Sequence, residues 1–198
     1  MTQIIMATGN MNKVREIRRM LRGTNLRVIS LKEAGIEAEI EENGTTFEEN
    51  AAIKAETIRD LTGKIVMADD SGLEIDALGK EPGIHSSRFM GEDTSYTIKN
   101  QAILDLLKDV PEEERTARFV CAVAIAYPDA PTITFRATFE GRIAHEIKGE
   151  NGFGYDPIFY VPEKGKTSAE LSPDEKNAIS HRGKALALAV NALRGCSE

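Results

Sequence analysis

Apolar residues along this chain follow two rhythms. Short unbroken runs, Ile4-Ile5-Met6-Ala7 and Ile65-Val66-Met67-Ala68, predict buried strands, and Leu26 to Leu31 reads as another strand. Val14, Ile17 and Leu21, three and four apart, predict a helix straight after the first run, with Thr8-Gly9-Asn10 as the turn between. A second helix is predicted from Thr46, which forms a capping box with Glu49, to about Leu61, with Gly63 as its stop. Its apolar stripe holds Phe47, Ala51, Ile58 and Leu61, and Lys54 falls in the same stripe. A third helix is predicted from Thr94 to Leu107, with Ile98, Ala102, Ile103 and Leu106 inward. Leu73 to Leu78 alternates as a strand does, and His85 to Phe89 reads as extended. Thr116 to Tyr127, Thr132 to Phe139 and Gly141 to about Ile147 predict three strands of an antiparallel meander. Ser172-Pro173 opens a short helix, and Ser180 is placed to cap a last one carrying Leu186, Val190 and Leu193.

Composition narrows the class. A chain of 198 residues with 41% hydrophobic and 29% charged residues is expected to form one soluble domain spanning 1–198, or one domain with two lobes. No apolar run reaches membrane-spanning length and no signal-peptide pattern opens the chain, so no membrane partner is expected. The net charge of -7 argues against a broad nucleic-acid surface and leaves room for a small nucleotide pocket. Cys121 and Cys196 show no zinc or redox spacing, which predicts a reduced, cytoplasmic protein, with Cys121 part of the core.

The chemistry gathers around Ala68-Asp69-Asp70-Ser71-Gly72. Adjacent strand residues face opposite ways, so Asp69 and Asp70 are expected in different surroundings. Carboxylates at the end of a buried strand need a cation, hydrogen bonds or a metal, and hard oxygens suit Mg²⁺. A turn with Asx caps is the alternative. Lys13, in the first turn of the first helix, opposes the helix dipole, and an anionic ligand there would relieve it. The turn is no P-loop, since the second glycine and the Lys-Ser/Thr pair are missing. Lys54 must snorkel or meet a negative partner, a phosphate being one. In Gly149 to Pro157, Phe153 sits between glycines, either as a flat face for a nucleobase or as a plug over the core. The final helix opens on His181-Arg182-Gly183-Lys184, again basic against its own dipole.

Together these segments resemble one family, the inosine triphosphate pyrophosphatases or XTP/dITP diphosphatases, which act on non-standard purine nucleotides. The matching motifs are Ala7-Thr8-Gly9-Asn10 with Lys13 and Glu16, Thr46-Phe47 with Glu49-Asn50-Ala51 and Lys54-Ala55, and Ala68 to Leu73. Pro82-Gly83-Ile84 with Ser87-Arg88, Gly152 to Pro157 and Ser180 to Ala185 follow in family order. The resemblance implies an α/β fold, a long mixed β-sheet between two α/β lobes with a central active-site groove. It implies a Mg²⁺-dependent homodimer that hydrolyses ITP, dITP and XTP to the monophosphate and pyrophosphate. Carried onto this chain, Thr8, Gly9, Asn10, Met11, Asn12, Lys13 and Lys54 hold the triphosphate, and Ser71 contacts substrate. Asp70 is the general base, grouped with Lys13, Lys54 and Asp69 as catalytic. Glu42 and Asp70 attend the metal, with Glu41 a further candidate because the acidic run aligns two ways. Phe153, Gly154, Tyr155, Asp156, Lys176, His181 and Arg182 shape the base pocket. A nucleotide-binding module without turnover would need the phosphate loop and Phe153 but no acids at the strand; Asp69 and Asp70 favour the enzyme.

Overall fold

The first apolar run is strand β1 (Thr2–Met6) in the computed structural model, which describes residues 2–195. β1 pairs in parallel with β2 (Leu26–Ser30), Ile4 opposite Val28, and with β3 (Val66–Ile75), Ile5 opposite Val66. The later strands are β4 (Thr116–Tyr127), β5 (Ala130–Ile143), β6 (Phe159–Val161) and β7 (Lys166–Thr167). β6 pairs antiparallel with both β5 and β7, so the seven-stranded sheet, ordered β2-β1-β3-β4-β5-β6-β7, is mixed. Five α-helices accompany it among the described residues: α1 (Met11–Met20), α2 (Phe47–Thr62), α3 (Tyr96–Leu106), α4 (Pro173–Ile179) and α5 (His181–Gly195). The expected α/β class with a mixed sheet is borne out.

Two compact units divide the chain. One takes residues up to Asp70, Cys121–Ala137 and the chain from Arg182 on; the other takes Ser71–Val120 and Thr138–His181. Each has its own core. In the first, Met6, Val14, Ile17, Met67, Val123 and Leu186 pack together; in the second, Leu73, Ile103, Phe119, Phe139, Ile158 and Phe159 do. Burying a side chain such as Val14 or Ile17 stabilises by about 1.5–3 kcal/mol. Cys121 is buried in the first core; Cys196 lies outside the described residues. No helix among the described residues is long and apolar enough to cross a membrane.

Local chemistry explains the helix ends. Asn10 Oδ1 accepts from the amides of Asn12 and Lys13 and so caps α1. Thr46 Oγ1 accepts from Glu49 N, and Gly63 closes α2 at φ 62°, a conformation glycine adopts without strain. The reciprocal half of the expected capping box differs: the Glu49 carboxylate reaches one residue further back, to Thr45 N and Oγ1. α4 has the full box between Ser172 and Glu175.

Six expectations are corrected. β3 runs unbroken from Val66 through Ser71 and Gly72 to Ile75, so the two aspartates stand inside a strand, not at its end. Residues 76–78 that were to extend it form a 3-10 turn. Gly141 does not begin a strand; it lies within β5, where an added Cβ would come 2.5 Å from Tyr160 O, so glycine there permits close approach of β6. Residues 85–89 coil into turns rather than extending. In α2 Leu61 is 65% exposed, and α3 is rotated from the expected phase: Ile98 and Leu106 face solvent while Lys99, Asn100, Ile103 and Leu104 are buried. The polar pair turns inward because it has carbonyl partners, Lys99 Nζ donating to Ser87 O at 2.7 Å and Asn100 Nδ2 to Gly154 O at 3.1 Å.

Candidate active site

Asp69 and Asp70, consecutive on β3, find different company, as strand alternation predicts. Asp69 is 1% exposed. Its Oδ2 meets Lys13 Nζ at 2.9 Å and Arg182 Nε at 3.4 Å. Arg182, the second residue of α5, is itself buried and also pairs with Glu16 of α1. Burial alone would raise the Asp69 pKa, but Lys13, Arg182 and Lys54 outweigh it and hold the carboxyl well below its usual range. The same pairing raises Arg182, burial being overcome by Glu16 and Asp69. The two cations that oppose their helix dipoles are therefore met by the protein's own carboxylates.

Asp70 belongs to a smaller set. Lys54 Nζ, from the buried stripe of α2, lies 3.3 Å from Asp70 Oδ1 and 3.3 Å from Glu42 Oε2. Burial pushes the Asp70 carboxyl up; Lys54 and Lys13 pull it down, Glu42 and Asp69 push it up again, and the net direction is upward. Burial disfavours the Lys54 ammonium, yet Asp70, Asp69 and Glu42 more than offset this and raise its pKa. Lys54 thus neither snorkels nor stands idle: it is the shared counter-ion of two acids. Asp70 Oδ2 is buried and makes no hydrogen bond. No group of three His, Cys, Asp or Glu side chains converges as a ready metal cage among the described residues. Mg²⁺, however, is commonly held by only one or two carboxylates together with substrate phosphates. A donor-free buried carboxylate oxygen beside a second acid fits that mode. Glu41 is exposed and Glu42 half-buried.

Thr8, Gly9 and Asn10 form the β1–α1 turn, Met11 and Asn12 open α1 ahead of Lys13, and Gly9, Asn10, Met11 and Asn12 are exposed. Ser71, half-buried, follows Asp70 directly on β3.

The second unit holds the other cluster. Asp156 Oδ2 accepts from Phe153 N at 2.9 Å and from Lys176 Nζ at 2.7 Å, and all of Asp156 but 1% is buried. Gly152, at φ 76°, lets this happen, since a Cβ there would come within 2.1 Å of Asp156 Oδ2. Lys176 Nζ also lies 5.1 Å from the centre of the half-buried Phe153 ring. Tyr155 donates its hydroxyl to Ser86 O at 2.7 Å and stacks edge-on against Tyr96. His181 stacks on Phe119, ring centres 4.9 Å apart. Phe153, Gly154, Tyr155, Asp156, Lys176 and His181 therefore stand in this unit, whereas Arg182 joins Asp69 and Glu16 in the other. Sequence reasoning passed over Glu16 as a site residue; the signal was that it is the one acid in α1, three positions from Lys13. It also passed over Asn50 and Asn100, whose polar side chains lie buried in α2 and α3.

Comparisons with known proteins agree on one group. The family model described as Ham1 family matches residues 4–192. A dITP/XTP pyrophosphatase of Bacillus licheniformis is 52% identical over 186 residues, covering 94% of this chain and 95% of the relative. A HAM1 protein from Coxiella burnetii superimposes with a TM-score of 0.89 at 42% identity, covering 98% of this chain and 100% of that one. The nucleoside-triphosphatase, dITP/XTP pyrophosphatase, of Mycobacterium abscessus gives a TM-score of 0.76 at 39% identity over 95% and 98% of the two chains.

Proposed function

The chain belongs to the Ham1 family, and on that premise we propose how its own residues carry out the reaction. The protein is a nucleoside triphosphate pyrophosphatase, hydrolysing the non-standard purine nucleotides ITP, dITP and XTP to the monophosphate and pyrophosphate. The observation that carries the mechanistic reading is Asp70: one oxygen held by Lys54, the other buried without a hydrogen bond, its proton affinity raised by burial.

In this reading Asp70 orients the attacking water and takes its proton at Oδ2, a role a raised carboxyl pKa suits better than an ordinary one. Lys13 and Lys54 offer charge to the triphosphate, and the segment from Thr8 to Asn12, exposed from Gly9 on, offers backbone and side-chain donors. Attack at the α-phosphorus releases pyrophosphate as one leaving group. Glu42 and Asp70 are the residues that would hold Mg²⁺, with Glu41 beside them in the chain. Bound there, Mg²⁺ would neutralise phosphate charge and help order the water. Asp69 supports by fixing Lys13.

Phe153 supplies a face for the purine, and Lys176 and His181 supply polar contacts, Asp156 holding Lys176 and the Phe153 amide in place. A 6-oxo group accepts from such donors; adenine presents an amino group and leaves them unpaired. We read residues 1–198 as one nucleoside triphosphate pyrophosphatase domain. We place the protein in the cytoplasm as a homodimer. The exposed Ile98 and Leu106, eight positions apart on α3, supply apolar surface of the kind a second copy covers, and sedimentation equilibrium tests this.

The deciding experiment is pyrophosphate release from ITP, dITP, XTP, ATP and dTTP, with and without Mg²⁺. Turnover of ITP and XTP should exceed that of ATP by roughly 10²-fold or more, as when buried donors lose a partner, and should stop without the metal. Equal kcat/KM for ITP and ATP would overturn the base reading; full activity in chelator would overturn the Mg²⁺ reading.

A further inference from the structure

Glu42 lies in the loop before α2, yet it stands within salt-bridge reach of Lys54, which leads into the carboxylate pair. Something must hold that loop. Two fasteners come from the first turns of α2. Glu49 takes the Thr45 amide and hydroxyl at 2.7 and 2.9 Å, at an exposed edge. Asn50 Oδ1 takes the Gly44 amide at 2.8 Å, and Asn50 is fully buried. Asn50 and Lys54 are four apart, so they stand one turn apart on the same helix face. One turn holds Gly44 and the next holds Glu42, two residues upstream. The fit leaves no slack: a Cβ on Gly44 would come 2.7 Å from Asn50 Oδ1, 2.8 Å from Glu49 Cβ and 3.0 Å from Asn50 N. Asn50 Nδ2 is buried with no hydrogen bond, so the residue is kept at the cost of one unsatisfied donor. A neutral amide provides the acceptor without adding a third negative charge beside Glu42 and Asp70.

We propose that Asn50 is a positioning residue for the cation seat, setting where Glu42 stands by holding the Gly44 amide one helical turn from Lys54. This rests on the reading of Glu42 as a cation ligand. Residues that orient ligands in this way typically change metal affinity by about 10–100-fold when removed.

The test uses Asn50→Ala, Gly44→Ala, Glu42→Gln and the double variant Asn50→Ala/Glu42→Gln in the full chain. Mn²⁺ binding is followed by paramagnetic resonance, and the Mg²⁺ concentration giving half-maximal ITP turnover is measured alongside. Asn50→Ala removes the acceptor, while Gly44→Ala displaces the same loop from its other side; each should weaken Mn²⁺ binding and raise the Mg²⁺ midpoint by about tenfold or more. Maximal turnover at saturating Mg²⁺ should change far less. The double variant should bind Mn²⁺ no more weakly than Glu42→Gln alone. If Glu42→Gln binds Mn²⁺ as the unmodified chain does, the reading of Glu42 is overturned, and the proposal with it. If Glu42→Gln weakens binding and neither Asn50→Ala nor Gly44→Ala does, the Asn50 proposal alone falls. It falls equally if the single losses multiply in the double variant, since Asn50 would then act by another route. Should Asn50→Ala fail to fold, Gly44→Ala decides.

Discussion

On one side of β3, Asp69 shares a set of two cations and two acids, Lys13, Arg182, Asp69 and Glu16; on the other, Asp70 shares one cation with a second acid, Lys54 and Glu42. The first set is balanced and its carboxyl is held low; the second carries one negative charge too many and its carboxyl is pushed up. Burial works in the same direction on both aspartates, so burial cannot be the difference. Counter-ion stoichiometry is. A buried group with its charges matched is a structural joint, and one left short of a cation is prepared for what arrives with the substrate.

The sharpest way to break this contrast is to remove each charge in turn. Asp70→Asn should lower ITP turnover by about 10²–10⁴-fold, the usual loss when a positioned base is removed. Its thermal midpoint should hold or rise, because a poorly matched buried charge disappears. Near-normal turnover would strip Asp70 of its role. Asp69→Asn should do the reverse of this in stability: with Lys13 and Arg182 left facing a neutral amide, folding should weaken by about 3–5 kcal/mol, read from urea denaturation. Equal stability losses in the two variants would show that the two sides do not differ in kind.

That difference was half legible in the sequence. Strand alternation separates Asp69 from Asp70, and helical spacing puts Lys54 in an apolar stripe that demands a partner. The identity of the partners was out of reach, because Arg182 meets Asp69 across 113 positions of chain, and no local rhythm encodes such a pairing. The basic opening of α5 signalled that its cations need anions. The resemblance places Arg182 among the base-pocket residues; in the structure its guanidinium pairs with Glu16 and Asp69. The misreadings of secondary structure share one cause. Gly72 and Gly141 looked like breaks but lie inside strands, Gly141 because Tyr160 passes close by. On α3 Ile103 is inward as expected, but Ile98 and Leu106 face solvent, and carbonyls of Ser87 and Gly154 draw in Lys99 and Asn100. Local pattern predicts where apolar groups cluster; it does not reveal where a distant backbone presents a partner.

Lys54 tests the shared-cation side more gently. Lys54→Met keeps the stem's apolar contacts and removes the charge. Loss of one charged contact to the triphosphate, about 1.5–3 kcal/mol, predicts that kcat/KM for ITP falls by about 10–10²-fold. The mirror variant on the matched side, Lys13→Met, should lower kcat/KM and also destabilise the fold, since it leaves the set of Asp69, Glu16 and Arg182 one cation short. If Lys13→Met costs activity with no change in the urea midpoint, Asp69 is no joint.

The smallest effect separates the sides by sign. The Asp69 carboxyl is lower in the fold than in the unfolded chain, where about 3.9 is usual, so its contribution to stability is present above that pH and is lost as pH falls. The Asp70 carboxyl is higher in the fold, so between 3.9 and its raised value the native state binds more proton than the unfolded one. Stability contributed by Asp70 is therefore present at low pH and is lost as pH rises through that window. Each unit between folded and unfolded values is worth about 1.4 kcal/mol. Urea midpoints measured from pH 4 to 8 and referred to the unmodified chain should thus move for the Asp70 variant and not for the Asp69 variant. Asp70→Asn should gain relative stability as pH rises. Asp69→Asn should stay destabilised throughout that range and recover only as the solution becomes more acid. The chemistry requires that the stability gained by Asp70→Asn follow the pH limb over which the unmodified enzyme becomes active, because one deprotonation drives both. A variant whose relative stability ignores pH while the enzyme's acid limb stays in place would assign that limb to another group and leave Asp70 ionised on both sides of it.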